Sequence, residues 1–436
     1  MVIARIYLWD VYVGALNWNA EARTGEFEYA PEFISTGLEI SPIHMPLRAG
    51  YTYVFQSLNR DTFKGLPSVL ADSLPDDFGN ALIDAWLAQQ GRSRMTFTPV
   101  ERLLYQGARG MGALEYRPAL AGEQNKAESI QIDALVRIAS EVLSGRESLA
   151  ERLTANDPSV DDAALQHLIQ IGTSAGGARA KAIIAMNDKR EIRSGQVPAP
   201  AGFEYWLLKF DVAKNSNVLA DSQGYGRIEF AYHLMARAAG MTMTECRLLE
   251  EGGRAHFMTK RFDRTDHGEK IHMATLCALD HADFRKPGQY SYAEAFAVLR
   301  TLGCSRDEAE EFYRRMVFNV IARNQDDHTK NIAFMMDTDG TWYLTPAYDV
   351  SWSYLPGSEW VETHQMTING KRDEFTLDDL LSVASLVRGM DARKVIRQVH
   401  DAVMQWPVYA AQAGVAQVSI ERIGKTHRSY LGEALS

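Results

Sequence analysis

Hydrophobic and polar positions alternate between two regimes along this chain. Residues 4–16 (ARIYLWDVYVGAL) gather β-branched and aromatic side chains around Asp10, which predicts a hairpin or two short strands opening a mixed domain. Between Phe63 and Gly91, Pro67 and Pro75 bound short segments. The stretch then enters a helix with Leu82, Ile83, Trp86 and Leu87 at helical spacing. The polar run 121–128 reads as a linker, and a second helix follows with Leu135, Ile138, Val142 and Leu143 on one face.

Further on, a small-residue loop at 171–181 (IGTSAGGARAK) leads into a strand-like 182–185. An exposed loop at 190–202, a strand at 205–210 (YWLLKF), a helix over roughly 227–239 and an extended 256–262 (HFMTKRF) come next. Helical periodicity dominates from about residue 290, and no internal repeat is visible. The sharpest helix begins at Ser305, where Glu308 completes a capping box, and Phe312, Met316, Val317, Val320 and Ile321 share one face. It delivers the chain to Asn324-Gln325-Asp326-Asp327-His328-Thr329-Lys330-Asn331. Next, IAFMM and TWYL flank Asp337-Thr338-Asp339-Gly340, a hairpin signal because glycine supplies a positive φ. The second strand leads to Tyr348-Asp349.

Composition narrows the class. The 436 residues correspond to about three domains or lobes at ~150 residues each. With 46% hydrophobic, 10% aromatic and 23% charged residues, the chain can bury a sizeable core, which excludes wholesale disorder, a collagen-like repeat and a disulfide-stapled miniprotein. A net charge of −10 repels the phosphate backbone, so unaided nucleic-acid binding is a poor first reading. Cys246, Cys277 and Cys304 form no Cys-x-x-Cys and point to a reducing compartment. No apolar stretch approaches the ~20 residues of a membrane helix, so no membrane association and a cytoplasmic location are expected.

The candidate chemistry is phosphoryl transfer. It needs a carboxylate for the acceptor hydroxyl's proton, oxygen ligands for Mg²⁺, cations on the nucleotide and a loop that closes over it. Asp326 and Asn331 have the five-residue offset of the Asp and Asn in a protein-kinase catalytic loop. Asp349 follows beyond a hairpin, where a kinase places its main Mg²⁺-binding Asp. Turn-forming Asp and Asn with only local hydrogen bonds are the alternative for the loop alone. Zinc is disfavoured, since His328 has no second His or Cys at ligand spacing. The loop 172–181 matches neither Walker A nor the kinase glycine pattern, and a plain flexible turn is its alternative. Lys209, alone in an apolar strand, calls for an anionic partner such as ATP phosphate or Glu229, or else snorkels from an edge strand.

The sequence resembles the HipA family of toxin serine/threonine kinases over nearly its whole length. Phe63-Lys64-Gly65-Leu66-Pro67, Leu70–Asp76 and Met111–Tyr116 resemble the family's amino-terminal domain. Ser174–Lys181, Lys260–Arg264, Asp326–Asn331 and Tyr348-Asp349 resemble its kinase part. The resemblance implies an α+β fold, with a small mixed N-terminal domain (1–120), a kinase-like N-lobe (130–264) and an all-helical C-lobe (265–436). It implies ATP and Mg²⁺ as cofactors, Asp326 as catalytic base, and Asn331 and Asp349 as Mg²⁺ ligands. Gly176, Gly177, Ala178, Arg179 and Lys181 would belong to the phosphate loop and Lys209 would meet the α/β-phosphates. Lys260, Arg261 and Phe262 would form the adenine hinge, with Asp263 near the ribose. His328, Lys330 and Tyr348 complete the implied ATP-binding set, and Ser174 would be the autophosphorylated serine. Lys260 departs from the Glu of the best-known member.

The implied partners are a small helix-turn-helix antitoxin (HipB-like), with DNA met only through it, and a protein substrate such as an aminoacyl-tRNA synthetase. The leading reading is therefore a growth-arresting protein kinase. A small-molecule kinase and an idle corepressor are the alternatives, and the intact Asp326, Asn331 and Asp349 argue against idleness.

Overall fold

The computed structural model describes residues 2–120, 131, 132, 135, 136, 139, 179–211 and 224–435. The run 121–128, Ile138, Val142 and Leu143 of the second expected helix, and Ser174, Gly176, Gly177 and Ala178 lie outside them. The chain divides into two compact units. One comprises Met1–Ile40, Met45–Gly226 and Arg247–Met273, and the other Ser41–His44, Arg227–Cys246 and Ala274–Ser436. The expected 1–120 and 130–264 segments thus fall largely within one unit, apart from Ser41–His44 and Arg227–Cys246.

The first unit holds two five-stranded sheets. In the first sheet, Ile3–Leu8 pairs antiparallel with both Val11–Asn19 and Leu114–Arg117, and Thr24–Tyr29 and Thr52–Tyr53 continue beyond Val11–Asn19. The hairpin expected around Asp10 is present. Trp9 and Asp10 take φ of 49° and 62°, the left-handed pair that a two-residue hairpin turn needs. Strict alternation buries Ala4, Ile6 and Leu8.

The second sheet runs in the order Ile192–Ser194, Lys181–Asn187, Phe203–Lys209, Arg254–Lys260, Cys246–Glu251. The helix expected from Leu82 to Leu87 spans Asp77–Gln89, and Asp76 caps it by accepting from the Gly79 amide at 2.7 Å. Its Phe78, Leu82, Ile83 and Trp86 share one core with Ala182, Ile184, Trp206 and Leu208 of this sheet. Burying one such side chain is worth about 1.5–3 kcal/mol, so this shared core holds the two parts of the unit together.

The second unit is helical around a β-hairpin. The Ser305 capping box is present, with the Ser305 hydroxyl accepting from the Glu308 amide at 3.2 Å and Glu308 accepting from the Ser305 amide at 2.7 Å. The helix runs Arg306–Ile321 and buries all five predicted face residues. Two residues beyond its end, Arg323 takes a φ of 56°, which turns the chain out into the polar loop. The hairpin predicted around Gly340 also forms, with Ala333–Met336 antiparallel to Trp342–Leu344 and Gly340 at φ 88°.

Candidate active site

The loop 324–331 is shaped by its own polar groups. A short turn, Thr329–Asn331, closes it, and the Thr329 hydroxyl donates to the Ala282 carbonyl at 2.6 Å. The Asn331 side-chain amide donates from Nδ2 to the Asp326 carbonyl at 2.8 Å. That bond ties the two ends of the catalytic-loop candidate together and uses the Nδ2 end of the amide. The Asp326 side chain is 45% exposed, with the His328 ring nitrogen 3.7 Å from its carboxylate. Phe284 packs edge-on against His328, and the Lys330 ammonium lies 5.2 Å from the same ring.

Tyr348 and Asp349 are tied to this loop, since the Tyr348 hydroxyl donates to the Lys330 carbonyl at 2.6 Å. Asp349 has a φ of 56°, a left-handed conformation that Asp tolerates better than most non-glycine residues and that recurs at functional positions. Asn331, Asp349, Tyr348, Asp327, Asn319 and Asn324 line a cavity of about 30 Å³. The expected metal ligands Asn331 and Asp349 therefore both line one small cavity of mixed polar and apolar walls, which is roomy enough for a water molecule.

Asp327 is the residue that sequence reading missed. It is buried, and its carboxylate accepts from the Tyr292 hydroxyl at 2.7 Å, a His364 ring nitrogen at 2.8 Å and the Gln365 amide at 2.8 Å. Burial by itself would raise its pKa. The His364, Tyr292 and Gln365 contacts outweigh that and hold the carboxyl below the usual range. Burial likewise pulls the His364 imidazole below its ordinary value. The only sequence signal was the doubled acid Asp326-Asp327, one half of which had to find partners inside.

In the first unit several of the expected nucleotide-site residues have protein partners. Lys181 does not lie open for a phosphate. It is 2% exposed and ion-paired with Asp76 at 2.8 Å, because a charge on a buried strand needs a counter-charge. Lys209 stands directly across the ladder from Lys181 and carries its ammonium 5.7 Å from the Phe257 ring. Arg179 stacks over Tyr225 at 4.7 Å. Lys260 pairs with Glu204 at 2.7 Å and Asp266 at 3.0 Å, and those contacts raise its pKa.

Arg261 and Asp263, expected in the adenine hinge and near the ribose, turn their side chains inward. Asp263 is fully buried and accepts from Arg261 at 2.6 Å, from Arg264 at 2.9 Å and from the Gly112 amide at 2.7 Å. Burial opposes ionisation there, yet the two guanidiniums hold the carboxyl well below the carboxylate range. Phe262 between them is half-buried. These residues bind the strand end to the Gly110–Gly112 segment, and their side chains are occupied.

The fold is of the α+β class, with a mixed first unit and a second unit built of helices around a hairpin. Residues 4–117 match the HipA N-terminal domain and residues 173–406 match the HipA-like C-terminal domain. The chain belongs to the HipA family. It resembles the HipA chain of the Shewanella oneidensis MR-1 toxin–antitoxin complex of HipA, HipB and operator DNA, with a TM-score of 0.65 and 18% identity over 99% of this chain and 96% of that one. A curated relative from Sinorhizobium fredii (strain NBRC 101917 / NGR234), named "Putative kinase Y4dM", is 28% identical over 233 residues, or 49% of this chain. The chain spans about half the length of that relative, 53%. Among the described residues, no helix is long and apolar enough to cross a membrane.

Proposed function

We propose that this chain is a HipA-type kinase that transfers the γ-phosphate of ATP to a protein hydroxyl. The observation that carries the reading is the loop geometry. The Asn331 side-chain amide is bonded at 2.8 Å to the backbone carbonyl of Asp326, whose carboxylate is half-exposed, and Asp349 lines the same cavity as Asn331. In this reading Asp326 takes the proton of the acceptor hydroxyl as its oxygen bonds to the γ-phosphorus and the bond to ADP breaks. Asn331 and Asp349 fit Mg²⁺, since a carbonyl oxygen and a carboxylate are hard donors and substrate phosphate and water complete such a site. A Mg²⁺ ion held by Asn331 and Asp349 would supply neutralisation of charge developing on the phosphates. Lys330 and His328 add donors beside Asp326.

Lys209 is the candidate cation for the nucleotide phosphates, and the loop 176–178 and Arg179 the candidate cradle. Lys260 and Phe262 are candidates for the adenine, through backbone and ring. Ser174 is the candidate for self-inactivating phosphorylation. Likeness to a chain solved with HipB and operator DNA supports a helix-turn-helix antitoxin as partner, and the family supports a translation component such as an aminoacyl-tRNA synthetase as target. Incubating the purified chain with γ-labelled ATP and Mg²⁺ tests the reading. Mg²⁺-dependent ADP formation with label appearing on protein is expected, and none in either channel contradicts it.

A further inference from the structure

The mechanism above uses Asp326 and leaves its buried neighbour unexplained. Asp327 is held from three directions, and one of its partners, His364, is held in turn by Arg428. Arg428 Nη1 lies 3.1 Å from His364 Nε2, while His364 Nδ1 lies 2.8 Å from Asp327 Oδ2. All three side chains are nearly or fully buried. Arg428 comes from beyond residue 406, where the family match ends.

We propose that Asp327, His364 and Arg428 form a positioning wire that sets the direction of the candidate base, Asp326; its catalytic part rests on the kinase reading. A guanidinium has only N–H donors and stays protonated. The nitrogen of His364 that faces it must therefore accept. A neutral imidazole has one donor and one acceptor, so the proton of His364 sits on Nδ1 and is given to the Asp327 carboxylate. Arg428 thus fixes the His364 tautomer, and the tautomer fixes Asp327.

The same arginine reaches the helix that delivers the loop. Its Nη1 donates to the Val320 carbonyl at 2.5 Å and its backbone amide to the Ile321 carbonyl at 2.9 Å. Its Nη2 donates to Gln325 Oε1 at 3.3 Å and to the Asp373 carboxylate. One side chain therefore braces the helix end, Gln325 and, through His364, Asp327. With Asp327 locked inside, the adjacent Asp326 is the carboxylate left facing out. Asp327, His364 and Arg428 are positioning residues, since in this account they act through Asp326.

The test uses the full chain and two independent readouts. Nitrogen-detected NMR of ¹⁵N-histidine-labelled protein should show His364 protonated at Nδ1 and bare at Nε2, and Arg428→Met should let the second tautomer appear. A wild-type ring protonated at Nε2 overturns the wire. In ATP turnover, His364→Leu should lower kcat about 100-fold with little change in KM for ATP, the pattern of a misplaced reacting group. His364→Asn, whose Nδ2–H keeps the donation to Asp327, should recover about tenfold of that loss. Equal losses in both variants, or lowered thermal stability with unchanged kcat, overturn the positioning role. A wild-type chain without Mg²⁺-dependent turnover counts against the kinase reading instead, while the ring nitrogens still judge the wire.

Discussion

The hydroxyl of Tyr348 donates to the carbonyl of Lys330 at 2.6 Å, and each residue immediately precedes a candidate metal ligand. Asn331 follows Lys330 and Asp349 follows Tyr348, so one hydrogen bond ties together the segments that carry the two oxygen donors. Tyr348→Phe keeps the ring and removes the donor. The expected cost to stability is about 1 kcal/mol. The Mg²⁺ concentration for half-maximal ATP turnover should rise several-fold, with kcat at saturating Mg²⁺ close to wild type. A metal titration of the purified variant checks this.

Lys181 is expected to act as a structural cation. Lys181→Met leaves the Asp76 carboxylate buried without its counter-charge, which should cost about 3–5 kcal/mol. Adding Asp76→Asn keeps the helix cap and removes the orphaned charge, so the double variant should regain part of the loss. Urea unfolding measures both. A raised KM for ATP with unchanged stability would place Lys181 at the nucleotide instead.

His272 predicts a pH dependence. It is fully buried, and burial pulls its pKa down to about 4, whereas the unfolded chain binds that proton near ~6.5. Between those values the unfolded state holds more protons, so stability falls as pH drops from about 6.5 toward about 4. His427, His233 and His281 are lowered to about 4 as well and act in the same window. Replacing His272 by Gln should flatten the slope of unfolding free energy in that window by up to about 1.4 kcal/mol per pH unit. Urea titrations at several pH values across it measure the slope.

Much of this site was legible because its signals are local. The Ser305–Glu308 box, the apolar face ending at Ile321 and the Asp-Thr-Asp-Gly turn each depend on neighbours within a few residues, and all formed as read. The offset of Asp326 from Asn331 was also visible. The anchoring of Asp327 was not, because Tyr292, His364 and Gln365 lie far along the chain and nothing in their local sequence marks them as partners. The burial of Lys181 was hidden for a related reason. Its position after a small-residue loop favoured a phosphate contact, while the strand register and the distant Asp76 placed it inside. Arg261 and Asp263 look like exposed polar residues at a strand end, and only the approach of Gly112 shows why they are buried.

Asp349 separates metal binding from folding. Its φ of 56° is a region that Asn tolerates as well as Asp, so Asp349→Asn should unfold at nearly the wild-type temperature. Exchanging a carboxylate for an amide weakens a hard-cation ligand, and the Mg²⁺ requirement should rise about tenfold or more. Calorimetry and a Mg²⁺ titration of ATP turnover check the two halves. A wild-type titration would mean that another carboxylate holds the metal.

The central claim rests on Asp326. Asp326→Asn is nearly isosteric and alters a half-exposed side chain, so the fold and ATP affinity should be kept. Loss of a general base removes about 10²–10⁴-fold of rate. The decisive measurement is the rate of Mg²⁺-dependent transfer of the labelled γ-phosphate by wild type and Asp326→Asn, at equal ATP occupancy and equal melting temperature. The account predicts transfer by the wild type and a loss of at least about 100-fold in the variant. Equal rates in the two proteins would contradict it.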